Sequence, residues 1–163
     1  VGDIEHHIGV QSSPPPDAVL AELAGAQWGV VSREQLQALG VQRGAIARRL
    51  KAGRLHPVHR GVYAVGHTAL GREGRWLAAV LACGKGAALS HRSAATHWGL
   101  LRSDQTRIDV TAARGRRGAR DIRLHRARSL DARDTTTHRG IPVTTVARTL
   151  LDLAAIEQPA RLE

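Results

Sequence analysis

Aromatic residues are nearly absent from this chain: Trp28, Trp76, Trp98 and Tyr63 make up 2%, and there is no Phe. A core must therefore come mostly from Leu, Val, Ile and Ala, and apolar residues at 42% suffice for one. Cys83 is the only cysteine. That excludes an intramolecular disulfide and suits a reducing, cytoplasmic location. Because it lies in an apolar helical run, a buried, inert thiol is expected. No apolar run approaches the ~20 residues that span a bilayer, so no membrane association is expected. Residues 1–16 are neither basic nor apolar enough for a signal peptide. Met is missing as well, which makes Val1 a non-Met start or a cut. Pro159 sits like the first residue of another helix, so the second domain is expected to be truncated at its C-terminal end.

What is present in excess is positive charge. Lys and Arg number 24 against 14 Asp and Glu, for a formal net charge of +10. Surface cations that replace the counterions condensed on phosphates point to a polyanionic partner. Only Lys51 and Lys85 are lysines. That skew to Arg, with abundant Ala and Gly, also follows from a GC-rich coding sequence, so charge alone does not decide the partner.

Local signals do more. Residues 1–16 end in Ser-Ser-Pro-Pro-Pro and form a lead-in. Asp17 is placed to cap a helix that carries Leu20, Leu23 and Ala24 on one face. Val30 and Val31 suggest a brief strand. Ser32-Arg33-Glu34-Gln35 is a capping box, with Val31 and Leu36 at the staple positions. That helix ends at Gly40. A third helix is expected over residues 42–52, with Ile46 and Leu50 inward and Arg48, Lys51, Gly44 and Ala45 outward. A hairpin then turns at His59-Arg60-Gly61.

Helix, strand, helix, tight turn, helix and hairpin are the order of a winged helix-turn-helix, over residues 17–66. From residue 33 to 66, Glu34 is the only carboxylate. The third helix would enter the major groove of double-stranded DNA with Gln42, Arg43, Arg48 and Lys51, supported by Arg33. His59 and Arg60 of the wing would touch the adjacent backbone. The same elements also suit a protein-interaction module.

Residues 67–163 are expected to form a small α+β domain with a short antiparallel sheet. A helix spans 72–83, and another runs from a Ser90 cap to about Trp98. Strands at 106–111 and 122–125 flank a basic hairpin loop with Arg114, Arg116, Arg117 and Arg120, a second candidate DNA contact or a solvated loop. A last helix runs to Ala155, with Leu150, Leu151 and Leu153 helping to bury it.

Catalytic signatures are missing. Gly84-Lys85 lacks the earlier Gly and the following Ser or Thr of a phosphate loop. No Asp-x-Asp appears, and no carboxylate accompanies either lysine as a metal nuclease would want. Ser90 and His91 are adjacent, and neighbours on a helix point about 100° apart, so pairing is not expected. Cap is the expected role of Ser90. No catalytic, metal-binding or cofactor residue is assigned, and the chain is not expected to be an enzyme.

The segment "VVSREQLQALGVQRGAIARRLKAGRLHPVHRGVYAVG" resembles the N-terminal winged helix of the AbiEi-family antitoxins, the transcriptional regulators of type IV toxin–antitoxin systems. "LSHRSAATHWGL" at 89–100 and "GIPVTTVARTLLDLAA" at 140–155 resemble the domain that follows it there. The resemblance covers about residues 17–157. It implies a DNA-binding regulator that represses its own operon, with a nearby toxin as a further partner. A similar region also precedes an endonuclease-like domain related to very-short-patch-repair nucleases. That leaves a DNA-targeting half of such a protein, or a module that neutralises a toxin by contact, as the alternatives. Gln42 departs from the Ser or Thr cap expected before the third helix.

Overall fold

The computed structural model describes residues 16–103, 105–113, 119–128 and 130–156. The chain opens with α1 (Pro16–Ala26), β1 (Val30–Ser32), α2 (Arg33–Ala38), α3 (Arg43–Lys51), β2 (Leu55–His59) and β3 (Val62–Val65). The capping box forms as read: Ser32 Oγ accepts from the Gln35 N–H at 3.2 Å, and Gln35 Oε1 accepts from the Ser32 N–H at 2.8 Å. Its staple residues Val31 and Leu36 are fully buried. Gly40 turns the chain at φ +77°, which an L side chain resists, and Val41 drops into the core before α3 starts. Gln42 occupies the N-cap of α3 without a side-chain bond.

β1, β3 and β2 make a three-stranded antiparallel sheet with β3 in the middle. Side chains alternate across it. Val31 and Tyr63 join Leu20, Leu36, Val41 and Ile46 in a core under the three helices. Val30 and Val62 face the other way, toward α4 (Arg72–Cys83). This is the winged helix expected from the sequence, and its strands β1 and β3 bury side chains on both faces.

Next come β4 (Ala88–Leu89), α5 (His91–His97), β5 (Ile108–Ala112), β6 (Ile122–Arg126), β7 (Thr135–His138), β8 (Ile141–Thr144) and α6 (Val146–Ile156). The second sheet has the order β6-β5-β4-β8-β7. α4 lies between the two sheets. Its Trp76, Leu77, Val80 and Cys83 share one core with Val30 and Val62 of the first sheet and Leu89, Val110 and Val143 of the second. Gly74 lets α4 abut the α1–β1 turn: a Cβ there would stand 2.7 Å from the Trp28 carbonyl oxygen. The fold class is α+β throughout.

Four expectations are corrected. Asp17 lies inside α1 and gives its carboxylate to Arg49 and Arg54, because the cations of α3 and the following turn outcompete the backbone for it. Ala45 packs against the core, not outward. β5 and β6 pair in parallel, so the segment between them is a crossover connection and not a hairpin loop. α6 turns Thr149 and Asp152 inward while Leu150 and Leu151 remain 52% and 68% exposed.

Candidate nucleic-acid interface

The face of α3 away from Ile46 carries Arg43, Gly44, Ala47, Arg48 and Lys51, all exposed. At 100° per residue these positions fall within one arc. Gly44 keeps that arc low: its missing Cβ would sit 3.8 Å from an Arg48 guanidinium nitrogen. Arg49 points to the opposite side, where it bonds Asp17 at 2.6 and 3.1 Å and the Ala45 carbonyl at 3.3 Å. The hydrogen bond from Arg49 holds the Asp17 carboxyl below its ordinary value, with Arg49's charge acting in the same direction. α1 and α3 are thereby tied together and the basic face of α3 is left free of that carboxylate.

Arg33 joins the helices to the wing. Its backbone N–H donates to the Gly61 carbonyl at 2.7 Å. Its side chain donates to Tyr63 Oη from Nε at 3.3 Å and from Nη2 at 2.9 Å. Arg33 and Arg60 line one cleft of about 580 Å³, whose far wall is the end of α4 at Cys83 and Gly84. Arg33 and Arg43 line a smaller one of about 140 Å³, beside Ala47 and Tyr63. The structure thus brings together Arg33, Arg43 and Arg60. Arg48, Lys51 and Gln42 are exposed on or beside the same helix. Gln37 lines both clefts. It was not singled out from the sequence, although it lies one turn after Arg33 on the same face of α2, which is a readable signal.

His59 is corrected as a wing contact. Its side chain is only 6% exposed and turns toward Asp121 of the second half, with Nε2 3.9 Å from the carboxylate. Burial pushes its pKa down from the ordinary value, and Asp121 partly opposes this. The turn was expected at His59-Arg60-Gly61, but β2 runs through His59, which pairs with Val62, and a bulge at residues 57–59 re-aims the strand end. Arg120 is exposed, and its carbonyl accepts from Arg107 Nε at 3.0 Å. Arg114, Arg116 and Arg117 lie outside the described residues.

Ser90 and His91 also depart from expectation. Ser90 is the N-cap of α5 by position, but its hydroxyl makes no capping bond. It accepts from Thr111 Oγ1 at 2.8 Å and lies 3.0 Å from His91 Nδ1. The pairing is possible because His91 has φ +49°, outside the helical geometry on which the 100° argument rests. The His91 ring stacks on His125 at 3.6 Å, and His125 bonds Asp109 at 2.9 Å. Burial first, then the His125 charge, push the His91 pKa down. Ser90 is fully buried, and so is Asp109 but for 1%. This cluster is internal and holds α5, β5 and β6 together. Cys83 is buried, and burial pushes its thiol up to about 11. Among the described residues no group of His, Cys, Asp and Glu has the arrangement of a metal site, and no helix is long and apolar enough to cross a membrane.

Two stretches of the chain match known families. Residues 19–66 match the family described as "Transcriptional regulator, AbiEi antitoxin". Residues 85–162 match the "AbiEi antitoxin C-terminal domain". No curated protein matches the chain. The first match covers the helices and wing that carry the basic face, and the second covers the mixed sheet and α6. With both halves matched, the chain belongs to the AbiEi antitoxin family of transcriptional regulators.

Proposed function

We propose that the chain binds double-stranded DNA through α3 and the wing, and that by doing so it represses a toxin–antitoxin operon of which it is part. The observation that carries this reading is the single basic face made by Arg43, Arg48 and Lys51 on α3, continued by Arg33 and Arg60 at the wing. α3 would lie in the major groove, with Gln42 and Arg43 at its N-terminal end near base edges. Arg48, Lys51, Arg33 and Arg60 would meet phosphates. The antitoxin family supports a cognate toxin as a second partner.

Fluorescence anisotropy with duplex DNA of the chain's own operator region tests the reading. Arg48→Ala is expected to weaken binding about tenfold and to reduce the salt slope by roughly one. A wild-type chain without duplex affinity at low salt would overturn it.

A further inference from the structure

A second basic cleft lies in the other half of the molecule, away from the exposed face of α3. It encloses about 460 Å³, and its walls include Arg72, Arg75 and Trp76 of α4, Thr96 of α5, Arg107 at the entrance to β5, and Asp121. Three arginines thus line one space. Among the described residues none of the three enters an ion pair. Two of them are held in place: Arg72 lies 5.9 Å above the Trp76 ring, and Arg107 donates Nε to the Arg120 carbonyl.

Arg72 and Arg75 both sit in the first turn of α4. The positive end of the helix dipole disfavours cations there. The N-cap, Gly71, supplies no side-chain acceptor. Glu73 in the same turn and Asp121 on the cleft wall offset part of this charge, but with three arginines against them the balance at the cleft stays positive, and one anion entering it relieves the repulsion among the cations. Guanidinium groups favour phosphate oxygens, since two N–H groups meet two oxygens in parallel. We propose that this cleft is a binding site for a phosphate group.

The chemistry fits a phosphorylated small molecule or a backbone phosphate of nucleic acid. Asp121 gives the cleft a connection to the wing. The same carboxylate that lines the cleft faces His59 at the end of β2. The proposal does not depend on the DNA reading of α3, because no lining residue belongs to the winged helix.

The test uses the full chain and two probes: inorganic pyrophosphate by titration calorimetry, and duplex DNA by anisotropy. Arg75→Glu is compared with Arg128→Glu, an exposed position outside the cleft with the same change in net charge. Arg107→Gln serves as a milder second variant, and thermal melting confirms that each is folded. Wild-type chain is expected to bind pyrophosphate, with Arg75→Glu at least about tenfold weaker and Arg107→Gln weaker by about threefold. Arg128→Glu should change it by no more than about twofold. Unaltered duplex affinity in Arg75→Glu, relative to Arg128→Glu, assigns the site to a free phosphorylated ligand. An additional loss of about tenfold on duplex assigns it to backbone phosphate. If Arg75→Glu matches Arg128→Glu with both probes, the proposal is overturned. Loss of the α3 reading would show differently, as an Arg48→Ala variant with wild-type duplex affinity.

Discussion

α3 and α6 are both short amphipathic helices, and they are oriented in opposite senses. α3 buries Ile46, half-buries Leu50 and exposes Arg43, Arg48 and Lys51. α6 buries Thr149 and Asp152 and exposes Val146, Leu150 and Leu151. Apolar contact holds the first. The second is held largely by polar contacts: Thr149 and Thr144 hydroxyls at 2.8 Å, and Arg148 bonded to Asp152 at 2.8 Å and to Asp134 at 2.7 Å. The hydrogen bond to Asp152, ahead of the other contacts, raises the Arg148 pKa. An apolar stripe thus identifies a helix face without saying that the rest of the same chain covers it.

The contrast can be broken most severely at Ile46. Ile46→Ala should cost about 2–5 kcal/mol, since it opens a cavity between α3 and the sheet. Chemical denaturation would measure it, and a loss below about 1 kcal/mol would refute apolar anchoring of α3. Arg148→Ala comes next, at about 2–3 kcal/mol, because it removes the partner of Asp152 Oδ1 on a buried carboxylate whose Oδ2 already lacks a hydrogen bond. A neutral result would mean that α6 is not held by its ion pairs. Ser32→Ala should cost about 1 kcal/mol through the lost cap of α2.

Mild acid acts mainly on the second half and on the end of β2 that faces it. Burial lowers the pKa of His91 and His97, in the second half, and of His59, at the end of β2 facing that half, below the ordinary value of 6.5. The unfolded chain then takes up protons before the folded one does, so stability falls as pH drops below about 6.5 and is flat above it. Hydrogen exchange at pH 7.5 and 5.5 should show α5 and its neighbours opening more at the lower pH, with α2 and α3 little changed. His91→Asn, which tolerates the positive φ, should reduce the dependence, with His97 and His59 supplying the remainder. The smallest effect is expected at Leu151→Ser, within about 0.5 kcal/mol, since that side chain already meets solvent. A clear loss there would mean that Leu151 is buried in solution.

Much of the first half was legible because its signals are local. A capping box, a glycine at the turn and a run of 3.6-residue periodicity each act within a few residues, and α2, α3 and α4 form where these place them. The basic face of α3 follows directly from its period. β4, with two residues, carries too little pattern to be seen, and β7, Thr135–His138, has no apolar alternation. Both exist because β5 and β8 offer them backbone partners. Alternation at 106–111 and 122–125 revealed two strands but not their relative direction. The same side-chain pattern satisfies parallel and antiparallel pairing, and neighbouring strands close in sequence suggested a hairpin.

What the sequence determined alone was the set of elements bound by nearest-neighbour physics: caps, turns, the apolar stripes of helices, and a charge balance that favours phosphate. The tertiary structure decided which way each stripe faces and which distant groups meet. Asp121 drew His59 out of the wing tip, and a left-handed backbone at His91 brought its ring to Ser90 and His125. α6 took its polar side inward because Thr144, Asp134 and His91 wait there. Such choices rest on pairs far apart in the chain, and no periodicity along the chain records them.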